Sequence, residues 1–183
     1  MATKPILTVV DGVAFKSMMR SIASTVAVVT TGNGFDGHGM TATAVCAVSA
    51  EPPSVLVVIN RSAQTHDAIA ENGCFAVNVL AADQEHLAQA FASSSKHALL
   101  STCKFGLTGS PLIDLTAANM EADVDRRLDY GTHTIFVGRI VSSIVTDRNP
   151  LLYHRGCYQS FGILEQGRPQ LTLPERHELD PIT

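Results

Sequence analysis

Apolar positions along this chain change their period several times, and the changes mark out a strand-rich domain with a few short helices. Phe15, Met18, Met19 and Ile22 recur at helical spacing behind Asp11, a good N-cap, and predict a helix over residues 12–23. Residues 25–31 (TVAVVTT) are β-branched and predict a strand. The GNGFDGHG that follows holds Asn33-Gly34 and Asp36-Gly37, both hairpin signals. Residues 40–49 are small and rich in Thr and Val, and they stop at Pro52-Pro53. The unbroken SVLVVIN of residues 54–60 predicts a strand buried on both faces.

Ser62 is placed to cap a short helix running to Glu71 and ending at Asn72-Gly73. Phe75, Val77 and Val79 alternate through a strand over residues 74–79, and Asp83 is placed to cap a helix whose Leu87, Ala90 and Phe91 share a face. Residues 93–118 read mainly as loop. Met120, Ala122 and Val124 alternate with Glu121, Asp123 and Asp125, the pattern of a half-exposed strand. A long strand over residues 134–146 is interrupted or bent near Gly138, and residues 151–162 add a final strand. The organisation expected is an extension (residues 1–11), one domain (12–164) and a Pro-punctuated tail (165–183).

Composition narrows the function classes. The chain has 183 residues, enough for one domain, and is 45% hydrophobic, a surplus that suggests burial in an oligomer interface. A net charge of −4 without any Lys/Arg run leaves no electrostatic footprint for nucleic acid. The longest apolar runs, such as residues 55–59, are too short for a bilayer, and the N-terminus has no signal-peptide pattern, so a cytoplasmic location is expected. Cys46, Cys74, Cys103 and Cys157 are scattered and read as reduced, buried thiols. His38, His66, His86, His97, His154 and His177 show no metal-ligand spacing, so no metal is expected.

Gly32, Gly34 and Gly37 satisfy GxGxxG behind an apolar strand, which admits a Rossmann-type dehydrogenase with a parallel sheet. Against it, Thr41, Thr43, Val45 and Val48 are poor helix residues, Asn60 stands where an acid should hold a ribose, and the NG and DG pairs suit a tight antiparallel reversal. The hairpin is the stronger reading.

Four stretches together, spread over most of residues 15–162, resemble the short-chain flavin reductases, the reductase components of two-component flavin-dependent monooxygenases. The first is GMTAT at residues 39–43, continuing through VSAEPP at 48–53; the second is NRSAQT at 60–65. The third is FAVNVL at 75–80, followed by LAQAF at 87–91; the fourth is GTHTIFVG at 131–138, leading to PLLYHRGCY at 150–158. Thr132 stands where that family's Gly-Asp-His pattern has Asp.

The resemblance implies an antiparallel Greek-key split β-barrel, the FMN-binding split barrel, mainly β with peripheral helices and forming a homodimer. It also implies hydride transfer from NADH (or NADPH) to FAD or FMN. The reduced flavin would diffuse to a separate monooxygenase acting on an aromatic or similar compound. Backbone donors at Thr41, Ala42 and Thr43 are then expected to face the flavin ring, while Asn60, Arg61, Ser62 and Thr65, where a strand meets a helix start, seat a phosphate. The resemblance places Phe91 and Lys96 beside the flavin tail and His133 near the nicotinamide. Arg155 and Tyr158 are candidates for lining the dinucleotide site. A non-catalytic flavin carrier or redox sensor on the same barrel is the alternative of another class.

Overall fold

The fold was described in a computed structural model covering residues 10–32, 36–93, 100 and 103–161. In chain order the elements are α1 (Gly12–Met19), β1 (Ser24–Thr25), β2 (Ala27–Thr31), β3 (His38–Ala42), β4 (Val45–Ala50) and β5 (Pro53–Asn60). Then come α2 (Gln64–Asn72), β6 (Cys74–Val79), α3 (Glu85–Phe91), β7 (Lys104–Phe105) and β8 (Pro111–Leu112). The last are β9 (Ala118–Tyr130), β10 (His133–Val145), β11 (Leu152–His154) and β12 (Cys157–Gln159).

Seven strands form one sheet in the order β3-β2-β6-β9-β10-β5-β4. Every pairing in it is antiparallel. The β3–β4 link returns the chain from one edge to the other, where the Val58 N–H donates to the Ala44 carbonyl at 3.1 Å. The antiparallel split barrel is therefore the observed architecture. Thr31 pairs with His38 across the Gly-rich segment, and Gly32 takes φ +100, so the chain reverses there. A Rossmann unit would need a parallel neighbour, and these strands have none. Residues 33–35 lie outside the described part. No described helix is long and apolar enough to cross a membrane.

Two cores flank β2. Ala27 and Val29 join Val57, Ile59, Ile69, Phe75, Val77 and Phe136 in one cluster, while Val26 and Val28 join Leu80, Phe91, Leu100, Ile113 and Leu151 in the other. Burying each large side chain here contributes roughly 1.5–3 kcal/mol. β5 differs from its expected two-sided burial. Val55, Val57 and Ile59 are buried, whereas Leu56, Val58 and Asn60 on the opposite face are only half-buried.

Several local expectations are corrected. The helix predicted for residues 12–23 is α1 alone, capped by Asp11 Oδ1, which accepts from Val13 and Ala14 N–H groups at 3.0 and 2.7 Å; none of its residues is buried. Ser62 does not cap α2: Ala63 holds that position, and Ser62 donates its N–H and hydroxyl to Asn60 Oδ1, both at 2.9 Å. Asp83 does not cap α3, whose N-cap is Gln84, because the Arg148 guanidinium takes its carboxylate. On α3 the buried residues are Ala88 and Phe91, with Leu87 and Ala90 only half-buried. The single final strand is a hairpin, β11 and β12, turned by Arg155 (φ +52) and Gly156 (φ +85). Cys46 and Cys157 are exposed, and none of the four cysteines forms a disulfide.

Glu121 also departs from its expected exposure. It is 2% exposed, and its carboxylate accepts from the N–H groups of Leu107 (3.0 Å) and Thr108 (2.8 Å) and from the Thr108 hydroxyl (2.9 Å). Burial pushes its carboxyl up, but these donors outweigh burial and hold it below the ordinary glutamate value.

Candidate functional site

β3 is an edge strand, so alternate backbone N–H groups along it have no strand partner on their outer side. Where it ends, Val26, Thr41, Ala42, Thr43, Tyr153 and Tyr158 line a cleft of about 130 Å³. The side chains here are small, which lets a flat ring approach the backbone. The Thr41 hydroxyl is engaged elsewhere, donating to the Ala88 carbonyl at 2.6 Å, so this residue offers the cleft its backbone. Tyr153 and Tyr158 line the same cleft, their rings tilted with centroids 5.2 Å apart. Burial, with Tyr153 and Glu85 nearby, raises the Tyr158 phenol above its ordinary value, so it stays neutral and able to donate. A second groove of about 250 Å³ shares Thr43 and Tyr153 with this cleft and runs under α1.

The strand ends of β5 and β10 build the other half of the candidate site. His133 is the register partner of Asn60 on one side and Tyr130 on the other. The Arg61 N–H donates to the Thr132 carbonyl at 3.0 Å, which ties residues 60–62 to the turn before His133. Thr132 Oγ1 lies 2.9 Å from His133 Nδ1, so a neutral hydroxyl orients the ring. Two segments some seventy positions apart thus become neighbours. The Ala44 to Val58 bond brings the end of the β3 cleft to within two residues of Asn60 along β5.

The start of α2 has the features of an anion seat. Ala63 supplies no side-chain cap, leaving the first-turn N–H groups without one. Thr65 is fully buried, and its hydroxyl has no partner among the described residues. The next residue, His66, is one of the histidines that the sequence marks only as lacking metal-ligand spacing. Its Nδ1 lies 2.8 Å from Asp67 Oδ1 and its Nε2 2.9 Å from Thr134 Oγ1, while the Thr134 hydroxyl donates to Asp129 Oδ1 at 2.6 Å. Because Thr134 gives its only proton to Asp129, His66 Nε2 must be the donor in its bond. That Thr134 bond holds the Asp129 carboxyl below its ordinary value against some burial, and the charges of Arg61 and Arg127 add to the effect.

The remaining candidates are more scattered. Phe91 is in the core, where its ring packs so close to Gly39 that a Cβ there would lie 2.9 Å from it. Lys96 lies outside the described residues. Arg155 sits exposed in the β11–β12 turn, its N–H donating to the Arg20 carbonyl at 2.9 Å. Tyr153 was missed because its stretch, PLLYHRGCY, shows no polar pattern that separates it from an ordinary strand residue.

Comparison with known proteins gives a consistent picture. The profile of the family described as Flavin reductase like domain matches residues 19–162. The FMN reductase (NADH) RutF of Pseudomonas syringae pv. syringae (strain B728a) is 36% identical over 145 residues, covering 76% of this chain and 82% of that protein. The reductase component of the FADH(2)-dependent resorcinol hydroxylase of Rhizobium sp. (strain MTP-10005) is 37% identical over 154 residues, covering 80% and 86%. Among solved structures, the Streptomyces globisporus C-1027 NADH:FAD oxidoreductase SgcE6 in complex with NAD and FAD fragments superposes with a TM-score of 0.78 at 31% identity, covering 85% of this chain and 95% of that one.

Proposed function

Because this chain belongs to the flavin reductase like domain family, we infer that it is an NADH-dependent flavin reductase, taking FAD or FMN and supplying reduced flavin to a separate monooxygenase. The observation that carries this reading is the meeting of three sequence-distant segments around one rim: residues 41–43, residues 60–62, and Thr132 with His133. A flavin and a reduced nicotinamide held here would supply the redox chemistry, the hydride passing from the second to the first, which leaves binding and alignment to the protein.

The chain supplies placement and electrostatics. The backbone along Thr41, Ala42 and Thr43 would turn its outward N–H groups to the electron-rich edge of the flavin ring and stabilise negative charge there. The uncapped start of α2, with Asn60, Arg61, Ser62 and Thr65, seats the flavin phosphate; the partnerless Thr65 hydroxyl and the missing cap support this fit. His133, oriented by Thr132, would hold the nicotinamide ring, and aligning it with the flavin would be the protein's main contribution to rate. Tyr158 and Arg155 flank the dinucleotide, and Lys96 remains a candidate phosphate partner. Phe91 supports the site through Gly39 and β3. The working unit is a homodimer in the cytoplasm, the reduced flavin passes on by diffusion, and the oxygenase acts on an aromatic compound.

The test is NADH absorbance followed with FAD, FMN and riboflavin in turn. Turnover with at least one flavin is expected. Flavin binding without NADH consumption would favour a carrier or sensor and overturn the enzymatic reading.

A further inference from the structure

The protons around His66 leave that ring one state. The Thr134 bond, with the charges of Arg61 and Arg127, keeps Asp129 ionised, so Thr134 donates to Asp129 Oδ1 and His66 Nε2 donates to Thr134 Oγ1. At the other nitrogen, the exposed Asp67 carboxylate lies 2.8 Å from Nδ1, and a carboxylate accepts without donating. Both ring nitrogens therefore carry a proton, and His66 is an imidazolium. Its side chain is 15% exposed, and its ring packs on Phe136 with centroids 5.5 Å apart. Charge reaches it from Asp67 on its own helix and from Asp129 on β9, the latter also faced by Arg61 and Arg127. From β10 it meets Thr134 and Phe136, which do not titrate. No other element puts a hydrogen-bonding or ionic partner on the ring among the described residues.

We propose that this imidazolium is a positioning residue for hydride transfer, bolting the start of α2 to the strand that presents His133. The inference rests on the flavin reductase reading and adds to it a residue that acts through its neighbours. His66 follows Thr65 of the phosphate seat, and Thr134 follows His133 on β10, so one bond joins the two halves of the site. Sheet register fixes His133 against Asn60 and Tyr130. α2, by contrast, packs through buried Ala68 and Ile69, and apolar contacts set no direction. Two hydrogen bonds from one planar ring do. A neutral imidazole has a single N–H and keeps only one of them. The tie therefore loosens as the proton leaves with rising pH, and the transfer slows because it depends on close alignment of the two rings.

The test compares wild type with His66→Ala, with His66→Gln, whose amide can bond Thr134 but carries no charge, and with Thr134→Val, which keeps the shape and removes the hydroxyl. It reads the histidine ring 15N spectrum at neutral pH, assigned by the signals lost in His66→Gln. It also reads the rate of flavin reduction at saturating NADH against pH, by stopped-flow absorbance. Two N–H signals from His66 are expected. The rate is expected to fall about tenfold in His66→Ala and less in His66→Gln, with the Kd for flavin within about twofold of wild type. The wild-type rate should also decline at high pH in a way that His66→Gln lacks; that variant keeps His133 and whatever titration His133 contributes. Thr134→Val should reproduce the loss, and adding it to His66→Ala should cost nothing more. A single N–H on His66 overturns the proposal, and so does a lowered Tm with rate and pH profile unchanged. Where the His66 variants fail to fold, an unaltered rate in Thr134→Val overturns it. Wild type that oxidises no NADH with any flavin sinks the enzymatic reading and the positioning role together; an active enzyme indifferent to these substitutions sinks only the role.

Discussion

The bond between Thr132 and His133 illustrates how one residue changes the terms on which its neighbour works. A carboxylate at position 132 would bring a negative charge to the imidazole; the threonine hydroxyl fixes the ring without one. If His133 holds the nicotinamide, His133→Ala should raise the KM for NADH about tenfold while the Kd for flavin changes little, a loss of ~1.4 kcal/mol of dinucleotide binding. Steady-state kinetics with a parallel flavin titration checks this, and unchanged NADH kinetics removes the role. Glu121 gives a second residue-scale prediction. Its donors hold the folded carboxyl below the ordinary value of 4.5, so its contribution to stability is present above that value and is lost as pH falls through the folded one. Glu121→Gln is therefore expected to lower Tm clearly at neutral pH, by the equivalent of about 1–3 kcal/mol for the donors left unsatisfied, with the gap to wild type closing in acid. A gap that stays constant with pH would show that the charge is irrelevant to holding the 106–110 loop.

At the scale of elements, the strand runs, the reversal between Thr31 and His38 and the end of α2 at Gly73 were legible because each depends on local chemistry. The irregularity expected near Gly138 is a shift in the β9–β10 register, and close packing surrounds it: a Cβ there would lie 2.7 Å from the Phe75 ring and 2.7 Å from Ala122 Cβ. Gly138→Ala is expected to destabilise by about 1–3 kcal/mol, read as a lower urea midpoint at constant slope; no change would mean that Phe75 yields freely. What stayed hidden was set by partners remote in sequence. TVAVVTT and SVLVVIN look equivalent, yet only the first lies between two cores. Asp83 was read as a cap, and Arg148, 65 positions away, claims it. The site was legible as separate stretches and as a resemblance, whereas the adjacency of Asn60 and His133 is a matter of register that no local pattern encodes.

For the whole molecule, the exposed face of β5 explains where the hydrophobic surplus goes. Leu128, Ile135 and Val58 form one cross-strand row on that face, and Val137 and Leu56 lie in the next. Leu128 is 61% exposed and the others are half-buried in the single chain. Adjacent rows of aliphatic side chains left facing water point to a covering surface, and a second copy offers the same rows for a two-fold pairing. The row beyond Leu128, Ile135 and Val58 is Tyr130, His133 and Asn60, so a dimer formed on this face would bring its margin to the candidate site. Assembly and dinucleotide binding are then coupled. Leu128→Glu, two positions from Tyr130 along β9, puts a charge in the middle of the proposed interface, where desolvating it without a partner costs several kcal/mol. The expected outcome is a monomer by sedimentation, a Tm that no longer rises with protein concentration, and a several-fold increase in the KM for NADH. A Leu128→Glu protein that sediments like wild type would place the subunit contact elsewhere. A monomer with unaltered NADH kinetics would instead separate assembly from the site, leaving His133 to act within one subunit.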